Sequence, residues 1–179
     1  MNKKMILTTI ALAIALFIGF GLLKAKELTS LQIVKVITIK GARSDVFNMV
    51  SHLKSYPKWS PFLVQDPSQQ YEVKGVDGTI GSQFHWSGNG GKDLGFQEVV
   101  KLDSLNFVGI KCDIQKPFVA YPTFDYTFTD TAEGVQVTQD FKLESGLVDA
   151  FFMWLFGAKG EMEKTNAQGL DLLKKAIEN

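Results

Sequence analysis

The stretch Leu147–Ile177, LVDAFFMWLFGAKGEMEKTNAQGLDLLKKAI, decides the fold. Val148, Phe152, Leu155, Met162, Leu170, Leu173 and Ile177 recur in it at spacings of three, four, seven or eight. Such spacing marks one apolar stripe on a helix. At 1.5 Å per residue the helix is about 45 Å long. The Gly157–Gly160 stretch is the place where it can bend, and Phe151, Phe152, Trp154 and Phe156 make its first turns unusually aromatic.

Upstream, the pattern changes to period two. Leu31–Lys40 is rich in β-branched residues and predicts a strand, which Gly41-Ala42 breaks. Arg43–Leu53 carries Val46, Phe47 and Val50 at helical spacing. Ser55–Phe62, SYPKWSPF, holds two prolines that forbid a long helix. Strands are then predicted at Tyr71–Val76, Ser82–Ser87, Leu94–Leu102, Asn106–Ile114, Val119–Thr129 and Val135–Leu143, with Asp77-Gly78 as one of the turns. Adjacent hairpins argue for one antiparallel sheet, strongly bent. A bent sheet cannot cover its own concave face, and the C-terminal helix is the one element long enough to do so. The fold class is therefore α+β, a bent antiparallel sheet wrapped around a long C-terminal helix.

At the other end, Ile6–Leu23 is an uninterrupted uncharged run flanked by Lys3, Lys4, Lys24 and Lys26. It shows no polar face and spans roughly 27 Å as a helix, close to the hydrocarbon thickness of a bilayer. Leu23 and Ala25 make a poor small-x-small cleavage pair, so an uncleaved single-pass anchor is favoured over a signal peptide. The flanking lysines nearly balance, leaning to an inside amino terminus and an extracytoplasmic domain. The expected organisation is an anchor over residues 1–26 and one soluble domain over 27–179. That domain carries 19 acidic against 15 basic side chains, a formal −4, which argues against a nucleic-acid partner. One Cys and two His exclude a disulfide scaffold and a Cys- or His-rich metal site, and no cofactor is expected. Oligomeric state is not legible.

Three segments carry a family resemblance: ITIKGARSDVFNMVSHLKSYPKWSPF (37–62), GSQFHWSGNGGKDLGFQEVV (81–100) and EMEKTNAQGLDLLKKAIE (161–178). Together they resemble the START-like proteins of the SRPBCC superfamily, the polyketide cyclase/dehydrase and lipid-transport group. The resemblance runs from about Ile33 to Glu178 and implies the helix-grip fold. It does not imply one activity, because the superfamily includes transporters, cyclases and hydrolases. Many bacterial members are wholly soluble, so the N-terminal span is a departure.

Fourteen Phe, three Trp and four Tyr make either a large core or a lined cavity. Alternation puts Phe84, Trp86, Phe124, Tyr126, Phe128 and Phe141 on the inward face. With the inward side of Phe152, Leu155 and Phe156 they are the expected lining of an apolar ligand pocket. Trp59, with Tyr56 and Phe62, either rims the mouth of that pocket or plugs the core. Tyr126 and Gln139 are the expected polar anchors, since a buried hydroxyl or amide needs a partner that a ligand can supply. His85 is aimed outward by its neighbours Phe84 and Trp86. His52 has no acidic neighbour in sequence. Glu98 shares parity with Leu94 and Phe96, but the Val99-Val100 pair shows alternation failing there, which favours a solvated carboxylate. Gly88-Asn89-Gly90-Gly91 lacks the following helix of a phosphate cradle and reads as a hairpin loop. The leading expectation is noncatalytic binding of a lipid or other small apolar molecule at a membrane. A cyclase/dehydrase-like enzyme, and a scaffold that binds no ligand, stay open beside it.

Overall fold

The computed structural model describes residues 2–179. The chain forms two compact units, one of residues up to Leu31 with Glu144–Met162, the other of Gln32–Leu143 with Glu163–Asn179.

The larger unit is built on a seven-stranded antiparallel sheet in the order β1-β7-β6-β5-β4-β3-β2. The strands are β1 (Ser30–Ile39), β2 (Gln70–Lys74), β3 (Gln83–Gly88), β4 (Asp93–Asp103), β5 (Phe107–Lys116), β6 (Thr123–Thr131) and β7 (Gly134–Glu144). Between β1 and β2 the chain makes α2 (Arg43–Ser51), a short 3-10 turn (Leu53–Lys58) and α3 (Pro61–Gln65). Sequence explains these pieces. Val46, Phe47 and Val50 form the buried face of α2. Pro61 occupies the first turn of α3, where its missing N–H costs nothing, and Ser60 Oγ caps that helix by accepting from the Leu63 amide.

The concave face of the sheet meets α5 (Ala158–Glu178) through Leu170 and Leu173, which join Val46, Val50, Leu53, Trp59, Phe84, Val108, Tyr126 and Val137 in one buried cluster. Two polar contacts dock the end of α5 onto β1. Lys174 Nζ donates to the Thr38 carbonyl at 2.8 Å, and Glu178 Oε1 accepts from the Lys40 amide at 2.7 Å. Gly169 packs on the Pro61 ring, where an added Cβ would make ordinary contact at 3.6 Å.

The smaller unit pairs α1 (Lys3–Lys26) with α4 (Leu147–Leu155). Gly21 permits their close approach, since a Cβ there would lie 2.5 Å from the Phe151 ring and 2.6 Å from the Trp154 ring. Phe17 and Phe20 meet Trp154 with centroids 5.6 and 6.0 Å apart.

Two expectations are corrected and a third is sharpened. The helix expected over Leu147–Ile177 is broken between α4 and α5 at Phe156-Gly157, where Gly157 adopts φ +66° and the α4 turn closes. The strand expected from Val119 begins at Thr123, because Pro122 has no N–H for the ladder; Ala120 makes only an isolated bridge to Ile114. On β4 the inward set is Gly95, Gln97 and Val99, and a register shift between Val99 and Lys101 then moves Leu102 into line with Val108. Leu94, Phe96 and Glu98 thus fall on the other face, in line with the solvated carboxylate expected for Glu98, and one extra residue in a bulge is the reason.

Candidate functional site

The interior of the larger unit is apolar with a polar seam. Register places its members in rows across the sheet. Gln139 on β7 lies opposite Tyr126 on β6, which lies opposite Val108 on β5. Two residues along, Phe141, Phe124 and Ile110 form the next row, followed by Cys112 opposite Gln97 and Gln97 opposite Phe84. Because side chains alternate with period two, these rows face one side. Asn166 sits one turn before Leu170 on the buried stripe of α5.

Tyr126 is 3% exposed and Gln139 equally so. Gln139 Nε2 donates to Tyr126 Oη at 2.9 Å, so the two expected anchors hold one another across β6 and β7. That leaves Gln139 Oε1 unpartnered. Gln97 Nε2 and Asn166 Nδ2 are buried without a partner as well. Turning the Gln139 amide over would let Tyr126 donate to Oε1 and would strand Nε2 instead. One amide position stays open in either orientation.

Burial governs the titration of this seam. It pushes the Cys112 thiol up to about 12. It also raises the Tyr126 phenol, against a lowering by the Gln139 hydrogen bond, with neighbouring Tyr56 and Cys112 adding to the rise. Tyr56 is raised for the same reason, and it shares a hydrogen bond with Ser60. All three are neutral at physiological pH. Among the described residues no Asp, Glu, Lys or Arg is buried.

The aromatic residues divide by position. Trp59 is 3% exposed, donates from Nε1 to the Met49 carbonyl at 3.1 Å, and meets Tyr56 edge-on at 4.9 Å. It is packed within the buried cluster of the larger unit. Phe84 and Phe128 are buried, and Trp86 and Phe124 are partly buried against the same cluster. Phe141 packs on Phe124 at 5.1 Å. Phe62 is 44% exposed and borders an open recess of about 520 Å³ lined by Gln65, Asp66, Ser68, Gln69, Asn89, Gly90 and Asp93. Phe152, Leu155 and Phe156 are exposed and belong to the smaller unit, not to the one that carries the sheet residues.

Residues weighed for chemistry lie on the other face of the sheet or outside the seam. His85 stacks on Phe96 at 5.0 Å and pairs its Nε2 with Gln83 Oε1 at 2.8 Å. Desolvation lowers its pKa, with Lys74 adding and Glu72 opposing. Glu98 accepts from Gln83 Nε2 at 2.7 Å. His52 Nδ1 is within bonding distance of Ser51 Oγ and the Asn48 carbonyl. Among the described residues no group of three His, Cys, Asp or Glu is placed to hold a metal ion. Sequence reasoning missed Gln97 and Asn166. Gln97 was findable by pairing, since Phe84, correctly placed inward, lies opposite it. Asn166 was findable one turn before Leu170 on the apolar stripe.

Comparison with known proteins places this geometry. Residues 30–178 match the family described as polyketide cyclase / dehydrase and lipid transport. No curated protein matches the chain. Among solved structures it is similar to an uncharacterised protein from Rhizobium leguminosarum (12% identity, 83% of this chain and 95% of that one, TM-score 0.62). A protein from Mesorhizobium loti is similar at 13% identity, with 83% and 97% covered and a TM-score of 0.61. The di-domain ARO/CYC protein StfQ of the steffimycin biosynthetic pathway is similar at 15% identity, with 83% and 51% covered and a TM-score of 0.59. At these identities the structures share the fold alone. The extent of the family match, over all but the N-terminal helix, settles membership: this chain belongs to the polyketide cyclase/dehydrase and lipid transport family.

Proposed function

We propose that the larger unit binds a small, mostly apolar molecule bearing an oxygen acceptor and a hydrogen-bond donor, and that α1 holds the protein at a membrane. The observation that carries this reading is the set of three unpartnered buried amide atoms, two donors and one acceptor, in an otherwise apolar interior. A buried polar atom without a partner costs roughly 1–3 kcal/mol. A carbonyl or hydroxyl accepting from Gln97 Nε2 or Asn166 Nδ2, with a hydroxyl or amide N–H offered to Gln139 Oε1, would recover that cost. The aromatic walls supply affinity and the amides supply orientation, the usual division of labour in a small-molecule site.

Neutral Tyr56, Tyr126 and Cys112 support holding a ligand over acid–base turnover at neutral pH, because each is a poor base there. The membrane part of the proposal rests on α1, which is long and apolar enough to cross a bilayer, a property that a signal sequence shares. The lysine distribution favours an extracytoplasmic domain.

Native mass spectrometry of the full-length protein released from membranes in mild detergent tests the reading. A co-purifying apolar mass is expected in the wild type, and it should be depleted in Asn166→Leu and Gln97→Met. A wild type that carries no such mass, and takes up none from a total lipid extract, sinks it.

A further inference from the structure

Resting on the reading of α1 as membrane-spanning, we infer that α4 is a second membrane element, an aromatic hairpin arm seated in the outer part of the leaflet at the Lys26 end of α1. Its direction is set at both ends. At its start, the Ser145 amide donates to the Thr29 carbonyl at 2.8 Å, and Ser30 Oγ donates to Glu144 Oε1 at 2.6 Å, beside the exit of α1. At its far end, Trp154 meets Phe17, Phe20 and Gly21. The arm therefore runs back alongside α1, antiparallel to it. Phe17 lies nine residues before Lys26, about 13 Å along the helix. Any bilayer that encloses α1 reaches toward the level of Trp154.

The chemistry of α4 fits that depth. Its one charge, Asp149, is in the first turn, at the end next to Lys26 and Glu27. Trp154 and Phe151 face α1, while Phe152, Leu155 and Phe156 are 50%, 42% and 75% exposed. Water is a poor solvent for that face, which packs beside α1, itself exposed and apolar along its length. The occupant that covers α1 therefore covers α4 too, and for a spanning helix that occupant is lipid. Lys159 and Glu161 follow Gly157 by two and four residues and limit the depth, because charged side chains are costly in hydrocarbon. The tip accordingly lies near the headgroup–acyl boundary, where aromatic side chains are favoured, and not at the bilayer centre.

Cys112 is buried and its thiol is held protonated, so an introduced surface cysteine can be labelled selectively. Full-length Phe152→Cys and Phe156→Cys proteins, with Leu16→Cys and Val76→Cys as references, would carry an environment-sensitive NBD label. They would be reconstituted in phosphatidylcholine vesicles containing doxyl-labelled phosphatidylcholine. The 152 and 156 labels should lose emission to a doxyl group near the acyl carbonyl, less to one at the chain end, and little to aqueous iodide; the Val76 label should show the reverse. If the 152 and 156 labels behave like Val76 while Leu16 is quenched by lipid, the arm is in water and the inference falls with the anchor intact. Labels at 152 and 156 shielded from both quenchers would mean that a protein surface covers the arm, and would overturn it equally. A Leu16 label open to iodide would remove the anchor and this inference together.

Discussion

Gln97→Met separates stability from binding, and the two should move in opposite directions. Gln97 is 6% exposed and its Nε2 has no partner. A buried amide donor that the protein leaves without a partner costs roughly 1–3 kcal/mol. Methionine has nearly the same length and shape and no polar donor. The substitution should raise the unfolding free energy of ligand-free protein by about 1–2 kcal/mol, or a few degrees in melting temperature for a domain of this size. Tyr126→Phe is the contrast. It removes the one partner of Gln139 and leaves both amide atoms stranded, so it should lower stability by about 1–3 kcal/mol without opening a cavity. Adding Gln139→Leu to Tyr126→Phe should recover most of that loss, because a pair replaced by apolar groups strands nothing. Urea unfolding of full-length protein in detergent, followed by tryptophan fluorescence, measures all three variants against the wild type. A Gln97→Met protein destabilised by more than about 1 kcal/mol would show that the protein itself satisfies Nε2, and the argument for a ligand oxygen at that position would be refuted.

Two further outcomes follow from the same interior and its frame. Alkaline pH should unfold the protein through the buried seam: Cys112, Tyr56 and Tyr126 keep their protons in the folded state after the unfolded chain has lost them. With folded pKa values raised, their contribution is complete below the unfolded values and is lost as pH rises above about 9, first through Cys112 and then through the phenols, at up to ~1.4 kcal/mol per pH unit for each group. Urea midpoints between neutral pH and pH ~11 read this slope, which Cys112→Ala should reduce at its lower end; a flat profile would contradict the burial of all three. Gly134→Ala should cost about 2 kcal/mol or more, since φ is +136° and a Cβ would run into the Ile39 carbonyl, whereas Gly90→Ala, at φ +64° with open space around it, should cost about 1; equal melting temperatures for the two would refute the steric argument.

Most of the frame was legible because it rests on local chemistry. Alternation located six strands, the Val46-Phe47-Val50 spacing located α2, and Pro57 and Pro61 marked the break between the short helices. What failed to show was register. The Val99-Val100 pair marked a break in alternation and favoured a solvated Glu98, but it did not show that Gln97 takes the inward place opposite Cys112 and Phe84. The pairing of Tyr126 with Gln139 was likewise half visible. Both residues were placed inward, but their mutual hydrogen bond depends on the β6–β7 register, and that bond changes what each can offer a ligand. The open amides at Gln97 and Asn166 follow from long-range packing and could emerge only once sheet and helix were both in place.

The run Leu147–Ile177 shows where periodicity stops informing. Its apolar residues keep helical spacing throughout, so it reads as one helix with one buried face. Its composition, however, changes at Gly157. The nine residues of α4 hold a single charge, whereas the 21 of α5 interleave Lys and Glu with leucine. Leu170 and Leu173 in α5 are buried among sheet residues; Phe152 and Leu155 in α4, at the same helical spacing, are 50% and 42% exposed. A helical stripe identifies which side of an element avoids water. It does not identify what takes the place of water, and here two parts of one stripe meet different answers, a protein interior for α5 and, on the inference above, lipid for α4. The glycine at +66° permits the division, because it ends one helix before the next begins.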